Sequence, residues 1–396
     1  MRIAYLCADP GVPVFGTKGC SVHVQEGIRA LLGQEAQVTL FASRLGGTPP
    51  ADLEAVPVHR LPRLPKGDAA ARERAALAAN DDLASLLERE GPFDLVYERY
   101  ALWSYAGMAH ARKHRIPGVL EVNAPLIDEQ ARHRRLVDRE SAEWVASRVF
   151  STASVLLAVS REVAAYVATY PDTRGRIHVV PNGVNPERFR PGVVPTAPAP
   201  PGTFTVGFVG SLKPWHGLAH LAEAFTVLHR YAPATRLLIV GDGPERDRLE
   251  AALSQHGVAD AALFTGAVLP EKVPGLIASM DVAVAPYPKQ APCYFSPLKI
   301  FEYMASEVPV IASRVGQISE VIEDRVSGLL CPPGDEGALV TALIKLWREP
   351  ALRARLAEAA RARIVRDHTW EATARRVLHL AGFEPAAQPR GAEAGV

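Results

Sequence analysis

Cysteine is scarce in this chain: Cys7, Cys20, Cys293 and Cys331 are the only four among 396 residues. None stands in a C-x-x-C pair or in a Cys/His cluster with zinc spacing, so no metal site is expected, and a reduced, cytoplasmic setting is the simple reading. An excess of one charge is also lacking. The 44 basic and 43 acidic residues leave a formal net charge of +1, so no global field recruits nucleic acid or anionic lipid, and specificity must lie in a local site. No run of 18 apolar residues occurs, which leaves nothing to span a membrane. The opening MRIAYLCADPGVPVFG is too brief in its apolar part for a signal peptide and reads as a first strand. No G-x-G-x-x-G follows that strand, which counts against a nicotinamide dehydrogenase. Neither G-x-S-x-G nor H-E-x-x-H appears, and no repeat of solenoid period is found.

What is present is ordinary globular material, 48% hydrophobic and 22% charged, in a length that suits two domains at about 100–200 residues each. Short apolar runs alternate with amphipathic segments. In the first half the strand-like runs are Ile3–Ala8, Val38–Ala42, Asp94–Arg99, Gly118–Val122, Ser154–Ser160 and Ile177–Pro181, with helices between them such as Ser21–Gly33 and two more within Ala71–Arg115. The alternation restarts with strands at Thr203–Gly210, Arg236–Gly243, Ala261–Val268, Asp281–Tyr287 and Val308–Ser313, separated by helices such as Gly217–Tyr231 and Pro244–Gly257. Such alternation predicts α/β architecture: two Rossmann-like domains with parallel sheets facing across a cleft. The expected divisions are a first domain over 1–188, a linker over 189–203 with five prolines in Pro191–Pro201, a second domain over 204–368, a helix over 369–383 that Thr369 caps, and a disordered tail over 384–396.

Four segments carry candidate chemistry. In CYFSPLKIFEYMASEVPVIA, Cys293–Ala312, Ser296 reads as a helix N-cap and Pro297 as the first helical residue. The amides near Leu298 would face an anion such as a diphosphate. Glu302, one turn further, can accept both hydroxyls of a ribose; the alternative is a plain cap and a surface acid. In GFVGSLKPWHG, Gly207–Gly217, a strand runs into a glycine turn at Gly210 with Lys213 and His216 displayed after it, which suits a phosphate as well as an ordinary βα loop. In PVFGTKGCSVHV, Pro13–Val24, Gly16 and Gly19 belong to a loop lining the cleft, with His23 on the helix that follows. In EVNAPLIDEQ, Glu121–Gln130, Asn123, Asp128 and Glu129 stand where they could orient acceptor hydroxyls, although each alone reads more simply as structural. The basic clusters Ala111–Arg115 and Arg132–Arg139 read as solvated helix faces.

Taken in order, VSREVAAYV (Val159–Val167), VVPNGVNPERFRP (Val179–Pro191), GFVGSLKPWHG, LLIVGDGPERDRL (Leu237–Leu249), FTGAV (Phe264–Val268) and SPLKIFEYMASEVPVIAS (Ser296–Ser313) make the chain resemble the family-4 retaining glycosyltransferases over nearly its whole length. The resemblance implies the GT-B architecture, with a closing helix that crosses back to the first domain. It implies a nucleotide-sugar donor on the second domain, an acceptor on the first, and domain closure during turnover. No cofactor beyond that co-substrate is implied. Uridine is the expected base because it is the commonest in the family, and a soluble small molecule or polar glycan the expected acceptor.

Position by position, Glu302 matches the ribose-binding second Glu of the family's E-x7-E motif. The first Glu falls on Tyr294. The Arg and Lys that clamp the diphosphate fall on Ser211 and His216, which leaves Lys213 and Lys299 to supply positive charge. Gly16 matches the loop near the diphosphate, Val268 the backbone contact to the base, and Asn123 falls near the place of a catalytic-site His. No D-x-D triplet marks the metal site of the other common glycosyltransferase architecture. The implied reaction is hexosyl transfer with retention and without a metal. A nucleotide-sugar 2-epimerase and a catalytically inactive nucleotide-sugar binder share this architecture and stay open; incubation with donor alone separates the epimerase. The oligomeric state is left unassigned.

Overall fold

A computed structural model describes residues 1–289 and 293–384. Seven parallel strands form the first sheet: β1 (Arg2–Cys7), β2 (Gln37–Ala42), β3 (Val58–Arg60), β4 (Leu95–Arg99), β5 (Gly118–Val122), β6 (Val155–Ala158) and β7 (Ile177–Val179), in the order β3-β2-β1-β4-β5-β6-β7. Six parallel strands form the second: β8 (Phe204–Val209), β9 (Thr235–Val240), β10 (Ala262–Phe264), β11 (Val282–Ala285), β12 (Val310–Ser313) and β13 (Leu329–Cys331), in the order β10-β9-β8-β11-β12-β13. The helices of the first domain are α1 (Gly19–Leu32), α2 (Ala69–Glu90), α3 (Ala106–His114), α4 (Leu126–His133), α5 (Arg139–Thr152) and α6 (Arg161–Val167). Those of the second are α7 (Leu218–Tyr231), α8 (Arg246–Gln255), α9 (Val273–Ile277), α10 (Leu298–Ala305), α11 (Ile318–Val321), α12 (Glu336–Arg348) and α13 (Pro350–Asp367); α14 (Trp370–Leu380) closes the chain.

Both sheets are covered on both faces, which is why their central strands read as continuous apolar runs. In β1, Ile3, Tyr5 and Cys7 enter one buried cluster while Ala4 and Leu6 enter another on the opposite face, the two-residue period of a strand. The strand order reverses between β1 and β4 and again between β8 and β11. Ligands of open parallel sheets bind at these switch points, outside the carboxyl ends of the strands.

The last helix returns to the first domain, as the resemblance implied. Ala374, Val377, Leu378 and Ala381 share a helical face and lie in a buried cluster with Ile28 and Leu31 of α1. Thr369 caps this helix by accepting from the Ala372 amide at 3.0 Å. The proline-rich segment is pinned to the second domain. Thr196 N–H donates to Gly275 O (2.9 Å), Ala197 N–H to Ser279 Oγ (3.0 Å), and Arg236 Nη2 to Ala197 O (2.7 Å). The tail expected over 384–396 lies outside the described residues beyond Glu384. No helix among the described residues is long and apolar enough to cross a membrane.

Candidate functional site

The carboxyl end of β8 runs into Gly210, whose φ of +143° is a conformation that favours glycine. A Cβ there would stand 2.7 Å from Lys299 Nζ, so the missing side chain is the space the ammonium occupies. Lys299, on the first turn of α10, is 9% exposed. Its Nζ lies 3.9 Å from the Phe208 ring centroid and 5.8 Å from that of Tyr287, and it has no hydrogen-bond partner among the described residues. Burial pushes its pKa down to about 7, against the pull of Glu302. Glu302 is pushed up to about 7, first by burial and also by Glu26, against Arg188 and Lys299. The two titrate in the same range because each has lost water and gained only part of a counter-charge.

The loop after Gly210 adds Ser211, Lys213 and His216. Ser211 is exposed, and its carbonyl accepts from His216 Nδ1 at 2.5 Å. His216 packs 5.6 Å from both Phe208 and Tyr287. Its pKa is held down to about 3, by burial and then by Lys299. It is therefore neutral and cannot replace the charge of the family's lysine. Lys213 Nζ lies 5.9 Å from the Trp215 ring centroid. Val268 is partly buried against the second-domain core.

The start of α10 differs from the sequence reading. The helix begins at Leu298, Pro297 is its cap, and no side chain caps it. Ser296 does not serve as the N-cap because its groups are engaged elsewhere. Its Oγ accepts from the Asn182 amide at 3.1 Å and its carbonyl from Asn182 Nδ2 at 2.8 Å. Opposite, α1 begins at Gly19, likewise without a side-chain cap or an acidic residue in its first turn. Gly19 faces Leu298 Cδ1 across the cleft, 3.9 Å from where a Cβ would be. The two helix N-termini thus converge, and unsatisfied amides there favour an anion. Gly16 is fixed beside them: its carbonyl and that of Val14 accept from Gln25 Nε2 at 3.1 and 2.8 Å.

On the first-domain wall, His23 is buried with its Nε2 2.7 Å from Glu121 Oε1 and its ring edge-on to Trp370 at 5.1 Å. Burial raises the Glu121 pKa, but His23 and Arg99 bring it below its ordinary value on balance. Arg99 Nη1 stands 4.0 Å from Glu121 Oε2. The side-chain oxygen of Asn123 is buried without a hydrogen-bond partner among the described residues. Asp128 is exposed and pairs with Arg139 Nη2 at 3.6 Å.

Tyr294 and Glu129 meet each other: the Tyr294 hydroxyl donates to the Glu129 carboxylate, and the Tyr294 ring packs against the first-domain core. The Tyr294 carbonyl also accepts from Ser160 Oγ at 2.8 Å. The residue standing where the family has an acid is therefore a strut between the domains. Removing its hydroxyl in Tyr294→Phe should cost about 1 kcal/mol of stability, measured by urea denaturation. Unchanged stability would remove it from that role.

Glu26, Arg188 and Asn182 were missed as contributors. Glu26, 3% exposed, accepts from Arg188 Nη1 at 2.5 Å and Arg29 Nη1 at 3.0 Å. Arg188 also donates to Pro270 O at 3.3 Å. Glu26 sits on a helix face that sequence alone cannot distinguish from a solvated one. Arg188 and Asn182 lie within VVPNGVNPERFRP, whose fixed order was their only signal.

Residues 17–188 match the family model described as Glycosyltransferase Family 4, and residues 203–349 the one described as Glycosyl transferases group 1. A D-inositol 3-phosphate glycosyltransferase of Acidothermus cellulolyticus is 27% identical over 403 aligned positions, covering 94% of this chain and 85% of that protein. Among solved structures, sucrose-phosphate synthase from Thermosynechococcus elongatus superposes with a TM-score of 0.73 at 21% identity, covering 96% and 98% of the two chains. The Anabaena protein HepE, in complex with UDP-glucose, superposes with a TM-score of 0.71 at 20% identity, covering 96% and 99%. Each half of the chain therefore matches a glycosyltransferase domain model, and the two together have the GT-B fold of those solved structures.

Proposed function

We propose that this chain transfers a hexosyl group from a UDP-sugar to an acceptor hydroxyl, with retention and without a metal. The observation that carries the reading is Lys299, a buried cation without a hydrogen-bond partner among the described residues, on the first turn of α10, whose uncapped N-terminus faces the uncapped start of α1. A diphosphate is the ligand that this charge and these amides suit. Glu302 accepts the ribose hydroxyls. Lys213, Gly210, Ser211, His216, Ser296, Pro297, Leu298 and Gly16 surround the diphosphate, and Val268 lies by the base. UDP as donor is supported by the UDP-glucose complex of HepE. A polyhydroxylated acceptor is supported by the inositol phosphate named for the Acidothermus relative.

In this scheme the bond from the anomeric carbon to the β-phosphate oxygen breaks with oxocarbenium character. The acceptor oxygen attacks from the same face, and its proton passes to the departing phosphate. The enzyme's main task is to stabilise charge growing on that phosphate, which falls to Lys299, Lys213 and the amides near Leu298. Asn123 is positioned at the reacting face. His23, Asp128, Glu129 and Tyr294 shape the acceptor side and the sugar pocket.

The two central pKa values set a pH dependence. Donor binding needs Glu302 ionised and is moderately strengthened by protonated Lys299, and both titrate near 7. Affinity for UDP-glucose, measured by calorimetry, should peak near neutrality. It should fall below that as Glu302 protonates, by up to about tenfold per pH unit, and above it as Lys299 loses its proton, levelling off within about tenfold. A flat profile from acid to alkaline pH would contradict this. A thermal-shift panel of nucleoside diphosphates and nucleotide sugars tests the base, since a ligand at 100 times its Kd stabilises by ~2.7 kcal/mol. UDP-glucose alone should survive incubation; release of free UDP without an acceptor would favour the epimerase reading.

A further inference from the structure

Glu88, at the end of α2, faces His110 and His114, one helical turn apart on α3. We propose that these three residues bind a divalent transition-metal ion, zinc above all, at a site separate from the cleft. Glu88 Oε1 lies 3.2 Å from His110 Nδ1 and 2.8 Å from His114 Nε2. One donor atom from each residue falls within 4.8 Å of the others. Zinc bonds of about 2.0–2.1 Å to nitrogen and oxygen place tetrahedral ligands about 3.3–3.4 Å apart. Two of the three separations thus need little change, and the third closes by rotating the exposed His114 ring.

The second observation is His110 itself. It is 6% exposed, yet its Nδ1 has no hydrogen-bond partner among the described residues. A buried imidazole nitrogen aimed at a carboxylate without completing a hydrogen bond is the donor that a metal satisfies. The i, i+4 spacing puts both imidazoles on one face of α3, with ring centroids 4.3 Å apart. Lys113 Nζ, 2.9 Å from the same Glu88 oxygen, must give way; it is an exposed ammonium on a flexible stem and returns to water. Because Glu88 and His114 are exposed, a water completes the tetrahedron.

The site lies away from the cleft. Glu88 precedes the start of β4 at Leu95, and His114 precedes the start of β5 at Gly118, so the ion would join α2 to α3 beneath the amino ends of the strands. That location assigns it a stapling role independent of catalysis.

The test is calorimetric titration of zinc chloride into the full, untagged, chelator-stripped chain, beside His114→Ala and Glu88→Gln. Both changes are at exposed positions, and circular dichroism checks that the fold is kept. The expected result is one zinc per chain, with affinity lowered more than tenfold in each variant, given that loss of even an outer-shell partner costs about 10–100-fold. No saturable binding by the parent chain overturns the proposal. Binding equally tight in both variants also overturns it, by placing the ion elsewhere, for example on a cysteine.

Discussion

Replacing Lys299 with methionine is expected to lower the turnover number by about 10²–10³-fold while changing donor affinity much less. The magnitude follows from the loss of one preorganised group aimed at developing charge. Lys299 meets that description because burial withholds water and no described hydrogen-bond acceptor holds its ammonium. In the resting protein its charge is opposed only in part by Glu302. When the sugar–phosphate bond breaks, the β-phosphate gains charge where the ground state had less, so the interaction strengthens in the transition state. Methionine keeps an unbranched apolar stem against Phe208 and Tyr287 and deletes a buried cation, so thermal stability should hold or rise. Steady-state kinetics with a UDP-sugar and an accepted alcohol would measure it. An unchanged turnover number with only a raised Michaelis constant would restrict Lys299 to ground-state binding.

Glu302→Ala is expected to weaken UDP binding by about 10²-fold. Hydrogen bonds to a charged group contribute about 1.5–3 kcal/mol each, and a ribose offers two. Relief of the repulsion from Glu26 offsets part of that loss, so the lower end of the range applies. The same substitution has a signature in the unliganded protein. The Glu302 pKa, about 7 folded against an ordinary 4.5, means that the folded state holds its proton more tightly than the unfolded state. Its contribution to stability is full below pH 4.5 and declines as pH rises through 7. Glu302→Ala should therefore flatten the pH dependence of unfolding over that window and leave the protein no less stable at pH 8. A variant that binds UDP normally would show that the ribose lies elsewhere.

The fold was largely legible because both sheets are buried on both faces. Ile3–Ala8 and Val308–Ser313 read as strands for the same reason that β1 and β12 are core. The edge strands β3 and β13, of three residues each, escaped notice, whereas β7 and β10, equally short, were read within longer runs. Prolines in 191–201 marked a connection, but their anchoring by Gly275, Ser279 and Arg236 depends on residues some 40–80 positions away. Ser296 misled for a related reason. Its local context is that of a helix cap, and a residue 114 positions upstream takes its hydroxyl instead. Glu302 and Lys299 stood out through motif order, whereas the perturbation of their pKa values arises chiefly from burial, with Arg188 and Glu26 acting on Glu302 as well, and all of this is brought in only by folding. Tyr294 could be named as a departure from the family's acid, but its reach to Glu129 across the cleft had no signal in the sequence.

The central claim is that the cleft between the two sheets holds a nucleoside diphosphate through Glu302 and Lys299. Calorimetric titration of UDP, UMP and uridine into the full chain tests it most directly. The account predicts one saturable site with affinity falling in the order UDP, UMP, uridine, and loss of UDP binding in the Glu302→Ala, Lys299→Met double variant. Failure to bind any nucleoside diphosphate, or UDP binding that is unchanged in the double variant, would contradict it.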